Sequence, residues 1–182
     1  MPNPPEGPVR ELFLRVRQGD EAAFEQLFKR FYSPLATYAL GFVQSRDAAE
    51  DVVQEVFLKL WEIRQRLPDA DSASAYLYRA VRNRALNQLR RLRLSAKWRR
   101  ETLPETEAAP AADRSAEEAE LAELIRRAVS DLPPRTREVF LLSREQFLTY
   151  PEIAATLSIS VKTVETLMGR ALKVLRQKLR KS

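Results

Sequence analysis

The chain has 182 residues, with 31 Lys and Arg against 25 Asp and Glu, a net charge of +6, and neither His nor Cys. Those absences exclude a Ser-His or Cys-His nucleophile pair, a zinc finger and a redox Cys pair, and four scattered glycines cannot build a phosphate-binding loop. Resolved along the chain, residues 1–100 carry +6, residues 101–131 carry −6 and residues 132–182 carry +6: two basic blocks around an acidic one.

Residues 1–8 hold four prolines and no apolar run, which predicts a loose tail and not a signal peptide. No apolar stretch approaches the roughly 20 residues that cross a bilayer, so the expected location is cytoplasmic. Gly19 and Asp20 read as a helix end followed by the next N-cap. From Glu21, the apolar residues Phe24, Leu27, Phe28, Phe31 and Leu35 recur at three- and four-residue steps. Pro34 suggests that a second helix starts there and runs to about residue 43. A third, over about 48–64, carries Val52, Val53, Val56, Phe57, Leu60 and Trp61 on one stripe, and a fourth covers about 74–93. Residues 99–115 combine Pro104, Pro110 and small residues with a single large apolar side chain, Leu103. Such a stretch cannot bury enough surface to offset its ordering entropy, so it is predicted to be a flexible acidic linker, able to span roughly 55 Å at about 3.3 Å per residue. Ser115 and Glu118 have capping-box spacing and set the start of a helix over 116–130. Helices over 135–143 and two more from Tyr150 complete the chain. No segment alternates with a two-residue period, so the expected fold is all-α: a helical domain over 9–98 and a smaller one over 116–182.

Three surfaces carry chemistry. On the third helix, Asp47, Asp51, Gln54, Glu55 and Leu58 line the side opposite the apolar stripe. That face is either a solvated surface or a docking site for a positively charged protein. The run "RAVRNRALNQLRRLRLSAKWRR", residues 79–100, holds nine basic side chains and no acidic one. Arg79, Arg82, Asn83 and Arg90 can share one side of it, a surface suited to phosphates and base edges. Leu77 and Tyr78 are expected in the core, whereas Tyr76 and Trp98 could pack inside or stack on unpaired bases. Finally, "LTYPEIAATLSISVKTVETLMGRALKVL" has the pattern of a helix-turn-helix. Thr149 and Glu152 form a capping box, Ser160 caps the second helix, and Ile153, Leu157, Ile159, Val164 and Leu167 are spaced to fill the wedge between them. The second helix would then display Lys162, Thr163, Glu165, Thr166, Gly169, Arg170 and Lys173, as a recognition helix does in the major groove. Ser158 stands at the turn position usually filled by glycine.

In combination these segments resemble the extracytoplasmic-function sigma factors, the small two-domain members of the main bacterial sigma family. "DAAEDVVQEVFLKLW" is similar to the core-binding segment of region 2, "YLYRAVRNRALNQLRR" to the adjoining −10 segment, and "LPPRTREVFLL" through "VLR" to region 4. The resemblance implies that Asp47, Asp51, Gln54, Glu55 and Leu58 meet the coiled coil of the polymerase β′ subunit. It places Tyr76, Arg79, Arg82, Asn83 and Arg90 on the −10 element, and residues 67–75 around a base flipped from the non-template strand. Tyr76 stands where most of the family has Trp. Lys162, Thr163, Thr166, Arg170 and Lys173 would address the −35 element, with Arg135 and Arg137 on its backbone. The acidic linker would thread the polymerase's RNA path. The implied partners are core RNA polymerase, including its β flap, promoter DNA and an anti-sigma factor. No cofactor, metal or catalytic residue is implied, and the mechanism is recruitment.

Two other readings fit parts of the chain. "SISVKTVETL" also looks like the helix-turn-helix of LuxR-type regulators, which bind DNA without polymerase. Asp47, Glu50 and Asp51 could instead be metal ligands of a carboxylate enzyme acting on nucleic acid.

Overall fold

The structure is a computed structural model that describes residues 6–68, 72–99 and 116–180, with side chains described over 7–68, 72–91, 120 and 123–180. The predicted linker apart from Arg99, the Ser115 cap, the centre of the 67–75 loop and the Trp98 side chain lie outside this description. The described residues form eight α-helices, a single 3-10 turn and no strand. The chain divides into two compact units, residues 1–106 and 107–182.

The first unit contains α1 (Glu6–Arg17), α2 (Glu21–Val43), α3 (Arg46–Glu62), the 3-10 turn Arg64–Arg66 and α4 (Ala73–Arg99). Helix α2 is its centre and packs on the other three. The start of α1 at Glu6 makes residues 6–8 helical, although they were expected to belong to the loose tail. Pro8 falls within the first turn, where a missing N–H removes no intrahelical bond. Val9, Leu12, Phe13 and Val16 then bury one side of α1. After it, Gly19 takes φ 87°, and Asp20 accepts from the Ala23 N–H at 3.0 Å and from Arg15 at 2.6 Å. Together the helix N-terminus and the guanidinium hold the Asp20 carboxyl below its ordinary pKa.

Pro34 does not start a helix, contrary to the expectation from its position, because α2 runs through it without a break. The buried stripe Leu27, Phe31, Leu35, Tyr38, Ala39 and Val43 continues at helical spacing across the proline. Each of the large buried side chains, Leu27, Phe31, Leu35 and Val43, is worth about 1.5–3 kcal/mol, so the stripe outweighs the roughly 3 kcal/mol that an interior proline costs. The helix ends at Gln44, which adopts φ 55° and donates its N–H to the Leu40 carbonyl. Ser45 caps α3, whose Ala49, Val52, Val53, Val56, Phe57 and Leu60 are buried. Trp61, expected in that core stripe, is only half-buried; it is tilted against Phe24 at 4.9 Å and covered by the Arg64 guanidinium at 4.3 Å. Helix α4 extends to Arg99, beyond the predicted end near residue 93.

The second unit contains α5 (Ala116–Ser130), α6 (Pro134–Arg144), α7 (Tyr150–Leu157) and α8 (Val161–Leu179). Helix α8 packs on the other three through Val164, Met168, Ala171 and Leu175. The wedge therefore uses Met168 where Leu167 was expected, and Leu167 is only half-buried. Among the described residues no helix is long and apolar enough to cross a membrane.

Candidate nucleic-acid interface and partner surfaces

On α3 the burial of one stripe leaves Asp47, Asp51, Gln54, Glu55 and Leu58 on the exposed side. Leu58 is 61% exposed, a large aliphatic side chain uncovered among carboxylates. The ion pairs along this helix engage Glu50 with Arg46 at 3.1 Å, Glu62 with Lys59 at 3.1 Å, and Glu55 with Arg84 of α4. Asp47 and Asp51 form no ion pair among the described residues, so this face keeps uncompensated negative charge. Between α3 and α4 lies a groove of about 410 Å³, whose apolar lining includes Val56, Leu58, Leu60, Tyr76 and Ala80. Glu55 and Arg84 both line it, so their ion pair joins the acidic helix to the basic one.

Ser72 starts α4 by accepting from the Ala75 N–H at 3.1 Å. Leu77 and Tyr78 are buried, and Tyr78 meets Tyr38 edge-on at 5.3 Å. Tyr76 is half-buried and packs edge-on against Phe13 at 5.4 Å. Burial pushes its phenol above the ordinary pKa, against the opposing pull of Arg79. Arg79, Asn83 and Arg90 are exposed and follow one another along the outer side of the helix. Arg82, grouped with them by spacing, is half-buried on the flank.

The helix-turn-helix is built by caps legible in the sequence. The Thr149 N–H and hydroxyl both donate to Glu152 Oε2, at 2.7 and 2.6 Å, while the Glu152 N–H returns a bond to Thr149 Oγ1 at 3.4 Å. Glu152 is 5% exposed, so the box also satisfies a buried carboxylate. Ser158 ends α7 in the left-handed region, φ 53°, with its N–H on the Ala154 carbonyl. Ser160 accepts from the Thr163 N–H at 3.1 Å and begins α8. Ile153, Ala154 and Leu157 are buried against α8, and Ile159 is half-buried. Lys162, Thr163, Glu165, Thr166, Gly169, Arg170 and Lys173 are all exposed.

Arg135 and Arg137 are occupied within their own unit. Arg135 donates to the Leu157 carbonyl at 3.1 Å and so braces the end of α7. Arg137 donates to the carbonyls of Ser130 and of Leu132, the latter at 3.1 Å, and closes the end of α5. The Arg135 bond spans 22 residues and depends on how α6 and α7 pack, whereas the Arg137 bonds reach back only seven and five residues across the turn between α5 and α6; no sequence signal marks either. Lys178 pairs with Asp131 and lowers its carboxyl pKa. Among the described residues no three acidic side chains gather as a metal ion would require.

The family model described as Sigma-70 region 2 matches residues 27–94, and that for Sigma-70, region 4 matches residues 122–175. The RNA polymerase sigma factor CnrH of Cupriavidus metallidurans is 34% identical over 92% of each chain. The ECF RNA polymerase sigma-E factor of Escherichia coli is 29% identical over 88% of each. A solved structure of CnrH in complex with the cytosolic domain of CnrY shares the fold at TM-score 0.67 and 28% identity, covering 95% of this chain and 97% of that one.

Proposed function

The chain belongs to the sigma-70 family, as a sigma factor of the extracytoplasmic-function type that directs promoter-specific transcription with RNA polymerase, and from that premise we propose how its surfaces divide the task. The exposed side of α3, with Asp47, Asp51, Gln54, Glu55 and Leu58, docks on the coiled coil of the polymerase β′ subunit. Asp47 and Asp51, without an ion pair among the described residues, attract a basic partner, and Leu58 gives the contact an apolar centre that a purely electrostatic encounter would lack. Arg79, Asn83 and Arg90 lie along the −10 DNA with Arg82 at their flank, and Tyr76 supports the opened strand beside them. Lys162, Thr163, Thr166, Arg170 and Lys173 face the −35 DNA, while the second unit meets the β flap. Arg135 and Arg137 serve this surface chiefly by holding the ends of α7 and α5, with their residual exposure directed to the DNA backbone.

A single helical unit presents a carboxylate-rich face with an exposed leucine on α3 and an adjoining helix of exposed cations on α4. Nucleic acid alone would be repelled by the first surface, and a basic protein alone by the second, so the unit needs two partners of opposite charge. The similarity to CnrH, whose complex with the cytosolic domain of CnrY is known, extends the proposal to a regulatory protein partner, an anti-sigma factor. The protein acts as an adaptor, with phosphodiester chemistry left to the polymerase.

The test reverses charge where no internal ion pair is broken. Asp47→Arg combined with Asp51→Arg should abolish co-purification with core RNA polymerase and leave the helical circular dichroism unchanged. Retention of polymerase by this variant would remove α3 from the docking surface.

A further inference from the structure

Gly169 lies within α8 on its exposed side, and among the described residues nothing beyond its chain neighbours and the backbone of its own helix comes within 4 Å of the place its Cβ would occupy. Its φ is not positive, Gly19 being the one glycine in that region among the described residues. Neither backbone conformation nor internal packing therefore calls for glycine here, although glycine ranks far below alanine in a helix interior. A missing side chain with no internal cause leaves room for something outside the molecule to approach closely; Gly41 in α2 is equally open, so what surrounds the gap decides whether anything does.

The neighbours of this gap indicate what approaches. Thr166, one turn earlier on the same side, donates its hydroxyl to the Lys162 carbonyl at 2.9 Å. Its only hydroxyl proton is thus spent on the helix, so outward the side chain offers its methyl and an acceptor oxygen but no donor. Thr163 is likewise turned toward the helix end, its hydroxyl 2.8 Å from that of Ser160. Around the gap lie Arg170 and Lys173, with Lys162 two turns earlier and the exposed carboxylate of Glu165 one turn earlier, so its surroundings are net positive. A face that combines a gap, a methyl group and cations suits an apolar projection on a polyanion. Among the base pairs, only those containing thymine carry such a projection in the major groove, the 5-methyl group.

Resting on the reading of α8 as the DNA-facing helix, we propose that Gly169 and Thr166 form a notch that receives the 5-methyl group of one thymine in the upstream promoter element. Glycine at 169 lets the duplex approach to contact distance, Thr166 supplies the apolar wall, and the cations hold the phosphates without reading sequence.

The experiment uses the full chain bound to core polymerase, with duplexes selected from a library randomised over the upstream region. The selected duplex is then remade with deoxyuridine in place of thymidine, one position at a time. Loss of one buried methyl should weaken binding about three- to fivefold at a single position and little elsewhere. Gly169→Ala should raise the melting temperature of the free protein, since the new methyl meets nothing, yet weaken binding to the selected duplex about tenfold and erase the deoxyuridine effect. Thr166→Ser, which keeps the hydroxyl and removes the methyl, should bind the thymidine duplex as weakly as the wild type binds the deoxyuridine one. A selected element indifferent to deoxyuridine at every position would overturn the proposal, as would Gly169→Ala binding as tightly as wild type. Failure to enrich any upstream sequence is a distinct result that would overturn the reading of α8 itself.

Discussion

Phe147 and Ser158 adopt φ of 55° and 53°, a region in which an L side chain is strained and glycine is not. Both stand at the end of a helix in the second unit, Phe147 after α6 and Ser158 after α7. Their difference lies in what the side chain gains in return. Ser158 is small and exposed, and its cap geometry is the one the helix-turn-helix requires. Phe147 is bulky and 43% exposed, so the covered half of its ring offsets much of its strain. Phe147→Gly is therefore expected to leave the stability of the second unit within about 1 kcal/mol of wild type, the relief of strain balancing the lost burial and the added unfolded-state entropy. Urea denaturation followed by circular dichroism measures this; a loss well beyond that would mean that the ring contributes packing that its exposure conceals. The turn at Ser158 was legible because caps are local and its position follows from the pattern around it. Phe147 was not, since nothing in "SREQFLTY" distinguishes a left-handed phenylalanine from an ordinary loop residue. Arg135 and Arg137 show the same limit. Their charge is plain in the sequence, but the Leu157 carbonyl that Arg135 meets is brought near only by packing, and the Ser130 and Leu132 carbonyls that Arg137 meets by the turn between α5 and α6.

At the scale of elements, Pro34 sets a local preference against a tertiary one. The sequence suggests a break, yet six buried residues along α2 share a stripe that a break would split. The helix continues and bears the cost of a missing hydrogen bond. Replacing the proline should recover part of that cost, so Pro34→Ala is expected to raise the unfolding free energy by about 1–2 kcal/mol. A fall in melting temperature would show instead that the proline shapes α2 for packing. The wedge of the helix-turn-helix carries a second lesson about elements. Leu167 and Met168 both suit an apolar face by hydropathy, and a helical period alone does not separate neighbours one residue apart. The inner register of α8 is set by Val164, Ala171 and Leu175, which align with Met168 and not with Leu167. The outer register of charged residues followed from the same sequence without this ambiguity, because Lys162, Arg170 and Lys173 have no apolar competitors on their side.

For the whole molecule, charge is organised by partner. The exposed leucine of α3, and Asp47 and Asp51 without an ion pair among the described residues, set its acidic face apart from an ordinary solvated one. The ion pair between Glu55 and Arg84 then places that face beside the basic helix α4, with the groove between them. The all-helical class and the helix-turn-helix could be read from periodicity and caps alone. The groove and the bond from Arg135 to the Leu157 carbonyl could not, because they arise from contacts between residues distant in the chain. Polymerase binding and DNA binding belong to different surfaces, so each should fail separately when its own surface is altered.

Transcription reconstituted with core RNA polymerase, with and without this chain, over a library of genomic fragments tests the account most directly. The predicted result is a set of start sites that appears only when the chain is added, each preceded by two sequence blocks at a fixed separation, while the chain alone forms no tight specific complex with the same DNA. Tight, specific binding by the chain alone, with no new start sites when polymerase is present, would contradict it.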